Sequence, residues 1–277
     1  MIDSVAREIL VKTKRKVFSA NLGNNATTFL GNGLDFSEIR EYNIGDDVRK
    51  INWKATAKSA STPYVNLFTE ERELHVIVAF MTSGSISFGS KRIKQELMSE
   101  ILALLGYSVM KNSDRLSTLF FSNKEEYQHK STKNIAALHE IIPKALSLEV
   151  EGKSVDYKAF TDYILSRFKQ PSLLFLIGDF YEELDLSLLS AKHELYTIIV
   201  RDHFEENPQL LGEINLYDPN TKLESELDID SDMVERFKKE IEKKDKKLIE
   251  HFKAHDIRYT KIYTDEDPFY KLNNLVR

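Results

Sequence analysis

The chain has 277 residues, a net charge of −5, no cysteine, and hydrophobic and charged shares of 42% and 30%, which are the proportions of a folded globular protein rather than a disordered one. Without cysteine there is no disulfide staple, thiolate nucleophile or thiolate-held zinc or iron–sulfur centre. The acidic balance repels nucleic-acid phosphates, so nucleic acid is not expected as a partner.

The opening stretch "MIDSVAREILVKTKRKVF" predicts a helix and lacks the uncharged core of a secretory signal. Its "KTKRK" cluster reads as a solvated helix end, and peripheral association with an anionic membrane stays open through the same residues. The longest apolar runs, "LHVIVAFM" and "SLLFLIG", fall well short of the roughly 20 residues a membrane helix requires. A soluble cytoplasmic protein is expected.

Residues 1–72 join that helix to a polar segment rich in glycine and asparagine, which holds the single tryptophan, Trp53. From about residue 73 to 205 the elements alternate. "ELHVIVAF" reads as a buried strand, followed by a helix with Ile93, Leu97, Ile101, Leu104 and Leu105 at helical spacing. "RLSTLFF" is a second strand; "TKNIAALHEIIPKAL" and "VDYKAFTDYILSRF" are helices. "SLLFLIG" and "LYTIIVR" are strands on either side of a helical "YEELDLSLLSAKH". Strands without interior polar residues, separated by helices, predict a three-layer α/β domain with a mostly parallel sheet. Residues 206–277 add a hairpin at "INLYDPNTKLES", a long helix, the strand "IRYTKIY" and a short final helix.

In such a sheet, ligands collect where loops leave the carboxyl ends of neighbouring strands. The loops holding Thr82, Ser83 and Ser85, and Asp179, leave two such ends, and Ser154 precedes a predicted helix. Met81, before the first loop, offers a soft thioether that suits Mg²⁺ poorly. Read as structure alone, Ser83 or Ser85 helps the turn, Ser154 is a helix cap and Asp179 caps the helix that follows it. No P-loop, nucleophile-elbow or zinc-protease sequence is present, and His251 and His255 read as a solvated helix face.

The first loop resembles the metal-ion-dependent adhesion site of the von Willebrand factor A domain, Asp-x-Ser-x-Ser. Met81 stands at its leading aspartate, Ser83 and Ser85 at its serines, Ser154 at the threonine of a second loop and Asp179 at the aspartate of a third. The resemblance implies a degenerate site, with no tightly bound cofactor and at most weak Mg²⁺ or Mn²⁺. Upstream, Gly31, Gly33, Asp35, Phe36, Arg40, Tyr42, Gly45, Asp46, Asp47, Arg49, Ile51 and Trp53 stand in the order that marks a bacterial family called domain of unknown function 58. Lys58 departs from that pattern, in which an arginine is usual. The family pairs this segment with a von Willebrand A-like domain, so the resemblance implies a non-enzymatic interaction adaptor. Its implied partners are a MoxR-type AAA+ ATPase and an unknown client protein. From the residues themselves, Asp46 and Asp47 would cap a turn and pair with Arg40 or Arg49, while Trp53 would bury its ring as an anchor; the other reading of Asp35, Arg40, Asp46, Asp47, Arg49 and Trp53 is a polar docking surface with a rigid aromatic anchor. The alternative is a divalent-metal hydrolase of phosphoryl or nucleic-acid substrates using Asp46, Asp47 and Asp179.

Overall fold

A computed structural model describes residues 2–19, 38–46, 48–58, 62–67, 73–209 and 212–276. In chain order its helices and strands are α1 (Ile2–Ser19), β1 (Glu38–Glu41), α2 (Trp53–Thr56), β2 (Tyr64–Leu67), β3 (His75–Met81), α3 (Lys94–Lys111), β4 (Arg115–Phe121) and β5 (Glu125–Thr132). They continue with α4 (Leu138–Leu146), α5 (Tyr157–Arg167), β6 (Leu173–Gly178), α6 (Ser187–Ser190), β7 (Glu194–Arg201) and α7 (His203–Glu206). The last are β8 (Gly212–Asp218), β9 (Leu223–Ile229), α8 (Ser231–Ala254), β10 (Arg258–Tyr263) and α9 (Pro268–Val276). The chain divides into two compact units, residues 31–73 and the remainder.

In the larger unit six strands form one sheet in the order β10-β7-β6-β3-β4-β5. Every pairing is parallel except that of β5 with β4. Period-two alternation splits each central strand between two cores. Val76, Val78 and Phe80 face one layer with Phe175, Ile177, Ile198 and Val200. Ile77, Ala79 and Met81 face the other with Leu174, Leu176 and Ile199. Residues of α1, α3, α4 and α9 cover the first face, those of α5 and α8 the second. This is the expected three-layer α/β architecture. α1, grouped in the sequence with the polar segment, packs against α3 and α4 in this larger unit.

One expectation is corrected, and one strand carries no apolar signal. The helix predicted at "YEELDLSLLSAKH" shrinks to the single turn of α6, and the polar stretch "EEYQHKST" is strand β5. β5 lies at the sheet edge, where half-exposed polar side chains suffice and no apolar run marks the strand. The hairpin appears as β8–β9, which pair only with each other in their sheet.

The smaller unit holds β1 antiparallel to β2, with Ile51 bridged to Val65. Asn52 caps α2 by accepting the Ala55 N–H at 2.9 Å.

Two histidines stand at the amino ends of β3 and β7, His75 and His193, and a third, His251, packs from α8. His75 Nε2 is 2.8 Å from Ser117 Oγ. Burial and Arg115 hold its pKa below the ordinary 6.5; burial, then Lys192 and His75, do the same for buried His193. His251 Nε2 accepts the Leu186 N–H at 3.0 Å, and burial and His255 lower its pKa too. His251 is thus a packed acceptor rather than part of a solvated face. All three bind a proton more weakly folded than unfolded, so their contribution is fully present above about pH 6.5 and is lost as pH falls below it. The urea midpoint is expected to drop between about pH 7.5 and about pH 5.5, and a His75→Gln/His193→Gln variant to show a shallower drop. An unchanged slope in that variant counts against this assignment.

Candidate functional site

β3 and β6 are adjacent, so the loops leaving their carboxyl ends meet at one rim of the sheet. Ser85 Oγ donates to Asp179 Oδ2 at 2.5 Å, Ser83 Oγ lies 2.8 Å from Ser85 Oγ, and a longer contact of 3.5 Å joins Ser83 to Asp179 Oδ1. Thr82 is fully buried beside them. Its N–H donates to the Phe121 carbonyl at 2.8 Å, and its hydroxyl finds no hydrogen-bond partner among the described residues. Three of the five loop residues singled out in the sequence, Ser83, Ser85 and Asp179, therefore converge, with Thr82 next to them in the chain. The fifth, Ser154, is exposed and takes no part in these bonds; the cap of α5 is Asp156, which accepts the Ala159 N–H at 2.9 Å. Asp179 caps no helix either, since its oxygens are taken up within the cluster.

The partner that dominates the cluster was not singled out in the sequence. Lys94, the first residue of α3, is fully buried and donates to Asp179 Oδ2 at 3.0 Å and Glu205 Oε1 at 2.6 Å. Burial pushes the Asp179 carboxyl up, but Lys94, Ser85 and Arg201 outweigh it and hold the pKa below the ordinary value. Glu205 goes the other way, raised by burial despite Lys94. Glu182 is raised by burial and by Asp179.

Arg201, at the end of β7, stacks its guanidinium 3.5 Å from the centre of the Tyr181 ring and reaches Asp245 at 3.1 Å. Phe180, between Asp179 and Tyr181, has a φ of +52°, a left-handed conformation that costs a residue with a side chain on the order of 1 kcal/mol. Asp202 accepts from Ser90 N–H at 2.8 Å, from Thr264 Oγ1 and, in a capping box, from α7. The run Arg201-Asp202-His203-Phe204-Glu205 is thus the support of the rim. Its signal in the sequence is a charged pair ending an otherwise apolar strand.

The hairpin covers the loop. Its turn places the Pro219 carbonyl on the Gly152 N–H at 2.8 Å and Asn220 Oδ1 on the Ser85 N–H at 2.9 Å. Gly84 permits this approach: a Cβ there would lie 2.0 Å from the Pro219 oxygen.

These residues do not fit a divalent cation. Mg²⁺ or Mn²⁺ requires hard oxygens, one or two of them free carboxylates. Met81 points into the core with Phe121 and Phe180, and Asp179 and Glu205 are both bound to Lys94. No group of three or more His, Asp or Glu suited to a metal exists among the described residues.

In the smaller unit, Arg40 grips Asp46 with two bonds, Nη1 to Oδ2 at 2.7 Å and Nη2 to Oδ1 at 2.8 Å, and Asp46 also accepts the Asn43 N–H. Arg40 is the main reason the Asp46 carboxyl titrates below its ordinary value. The pair braces the turn in which Gly45 has φ +110°. Arg49 is exposed. Trp53 is 71% exposed, so the buried-anchor reading is overturned and the docking reading is left: as the first residue of a one-turn helix, its ring points outward. Asp35 and Asp47 lie outside the described residues.

The family model for "Protein of unknown function DUF58" matches residues 38–247. The chain belongs to the DUF58 family. Among its relatives, uncharacterized proteins of Mycobacterium tuberculosis and Mycobacterium bovis are each 24% identical over 239 residues, 81% of this chain and 73% of theirs. Two solved structures are similar to this DUF58 chain: the conserved hypothetical protein BatB from Bacteroides thetaiotaomicron and an aerotolerance-related membrane protein from Bacteroides fragilis. The first has TM-score 0.45 and 12% identity, covering 73% of this chain and 97% of its own. The second has TM-score 0.44 and 10% identity, with 73% and 98% covered. No helix among the described residues is long and apolar enough to cross a membrane.

Proposed function

We propose that this DUF58 protein is a non-enzymatic interaction adaptor of the cytoplasm, working with a MoxR-type AAA+ ATPase on an unidentified client. In this reading its strand-end loop is a degenerate adhesion site of von Willebrand A type. The observation that carries the reading is the β8–β9 ribbon docked on that loop. Its register puts Ile214, Leu216, Leu223 and Leu227 on one face, and Glu213, Glu224, Glu226 and Asp228 on the other. Leu223 and Leu227 are 65% and 40% exposed. A two-stranded ribbon with an uncovered apolar face is a poor fold element by itself and a good macromolecular contact. Thr82, Ser83, Asp179 and Lys94 are buried, so the ribbon rather than the loop would meet a partner.

The hydrolase alternative lacks support: Asp46 spends both oxygens on Arg40, and Asp179 is spent on Lys94 and Ser85. The test is capture of the full chain by a MoxR-type ATPase held in its ATP-bound state. Capture is expected, with at least a tenfold weakening (about 1.4 kcal/mol) in Leu223→Glu/Leu227→Glu at unchanged melting temperature. No capture, together with metal-dependent hydrolysis by the protein alone, would reverse the reading.

A further inference from the structure

Lys94 breaks a local rule. A positive side chain in the first turn of a helix faces the positive end of the helix dipole. Here Lys94 opens α3, whose start at Ile93 has no side-chain cap. Burying an ammonium costs several kcal/mol unless it is fully paired, yet this one is 0% exposed. A broken rule with a specific compensation marks a position selected for something other than helix stability.

The compensation is an anionic seat. Asp179 Oδ2 and Glu205 Oε1 lie 3.0 and 2.6 Å from one point, the Lys94 nitrogen, and Ser85 Oγ adjoins the same Asp179 oxygen at 2.5 Å. Take the ammonium away and two carboxylates face that point, with the Ser85 hydroxyl on the same Asp179 oxygen and the Ser83 hydroxyl 2.8 Å behind it, all hard oxygen donors of the kind divalent cations choose. We propose that Lys94 is a tethered cation: its ammonium holds the place a divalent ion would take in this loop, excludes such ions, and makes the rim independent of metal. This rests on the adhesion-site reading above.

The experiment uses the full chain and Mn²⁺ alone as probe, followed by calorimetric titration and by the shift of melting temperature with millimolar Mn²⁺. The wild-type protein is expected to show neither binding nor a shift. Lys94→Ala is expected to bind one Mn²⁺ and to melt higher in its presence, and Lys94→Ala/Asp179→Asn to lose both effects. Lys94→Gln, closer in volume, serves in its place should Lys94→Ala fail to fold. Stoichiometric Mn²⁺ binding by the wild type that vanishes in Asp179→Asn would overturn the proposal, as would a folded Lys94 variant indifferent to Mn²⁺. The titration involves no partner, so its failure is distinct from failure of the adaptor reading, which the ATPase capture decides.

Discussion

Lys94→Met is expected to lower the unfolding free energy by about 3–5 kcal/mol, the cost of leaving a buried charge without its counter-ion. Asp179 is 2% exposed. Its hydrogen bond from Ser85 and the nearby charge of Arg201 remain in the variant, but no cation donates to it, and Glu205 loses its 2.6 Å partner as well. Methionine fills most of the aliphatic volume, so cavity formation contributes little and the loss reports charge. Urea denaturation of Lys94→Met, Asp179→Leu and the double variant checks this through a double-mutant cycle. The double variant is expected to be more stable than the sum of the two losses predicts, because the uncompensated Asp179 is gone. Additive losses, or a Lys94→Met cost below about 1 kcal/mol, would mean the pair is not a coupled buried ion pair.

Gly84→Ala is expected to lift the hairpin turn from the loop. The new methyl would lie 2.0 Å from the Pro219 oxygen and 2.4 Å from its carbonyl carbon, both backbone atoms that cannot rotate aside. The bonds Ser85 N–Asn220 Oδ1 and Gly152 N–Pro219 O go with it, worth together about 1–3 kcal/mol. Amide hydrogen exchange at Ser85 and Gly152 should accelerate, and the ribbon at 212–229 should become a preferred protease site, while the central sheet keeps its protection. Unchanged exchange at both amides would show that the turn is not held this way.

The layers of the molecule are readable from the chain because apolar alternation and helical spacing report burial, which decides where β3, β6 and β7 sit. The meeting of Ser83, Ser85 and Asp179 is readable for a related reason: adjacent parallel strands bring their carboxyl ends to one edge. Lys94 is not readable this way. In the sequence it is one of many lysines, and nothing in "KRIKQEL" distinguishes a side chain that folds inward from one that points to water. Its burial depends on Glu205, which lies 111 residues away. Ser154 misleads because serine suits a cap, yet Asp156 two residues later is better placed to take the Ala159 N–H. Trp53 misleads because its size argues for burial, while a one-turn helix offers no layer to cover it.

The sheet order also sets a sequence of assembly. β3, at the middle, is the first of the six strands to be synthesised; β4 and β5 add to one side of it, and β6, β7 and β10 then add to the other. Each newly made strand thus meets an edge already present, and the sheet grows outward from its centre as translation proceeds. Two flanks wait for their neighbours: that of β3, whose neighbour β6 follows only after β4, β5, α4 and α5, and that of β7, whose neighbour β10 follows only after the ribbon and the 24 residues of α8. During each interval an apolar strand edge stands open to wrong pairing, so the nascent chain has two definable moments of aggregation hazard.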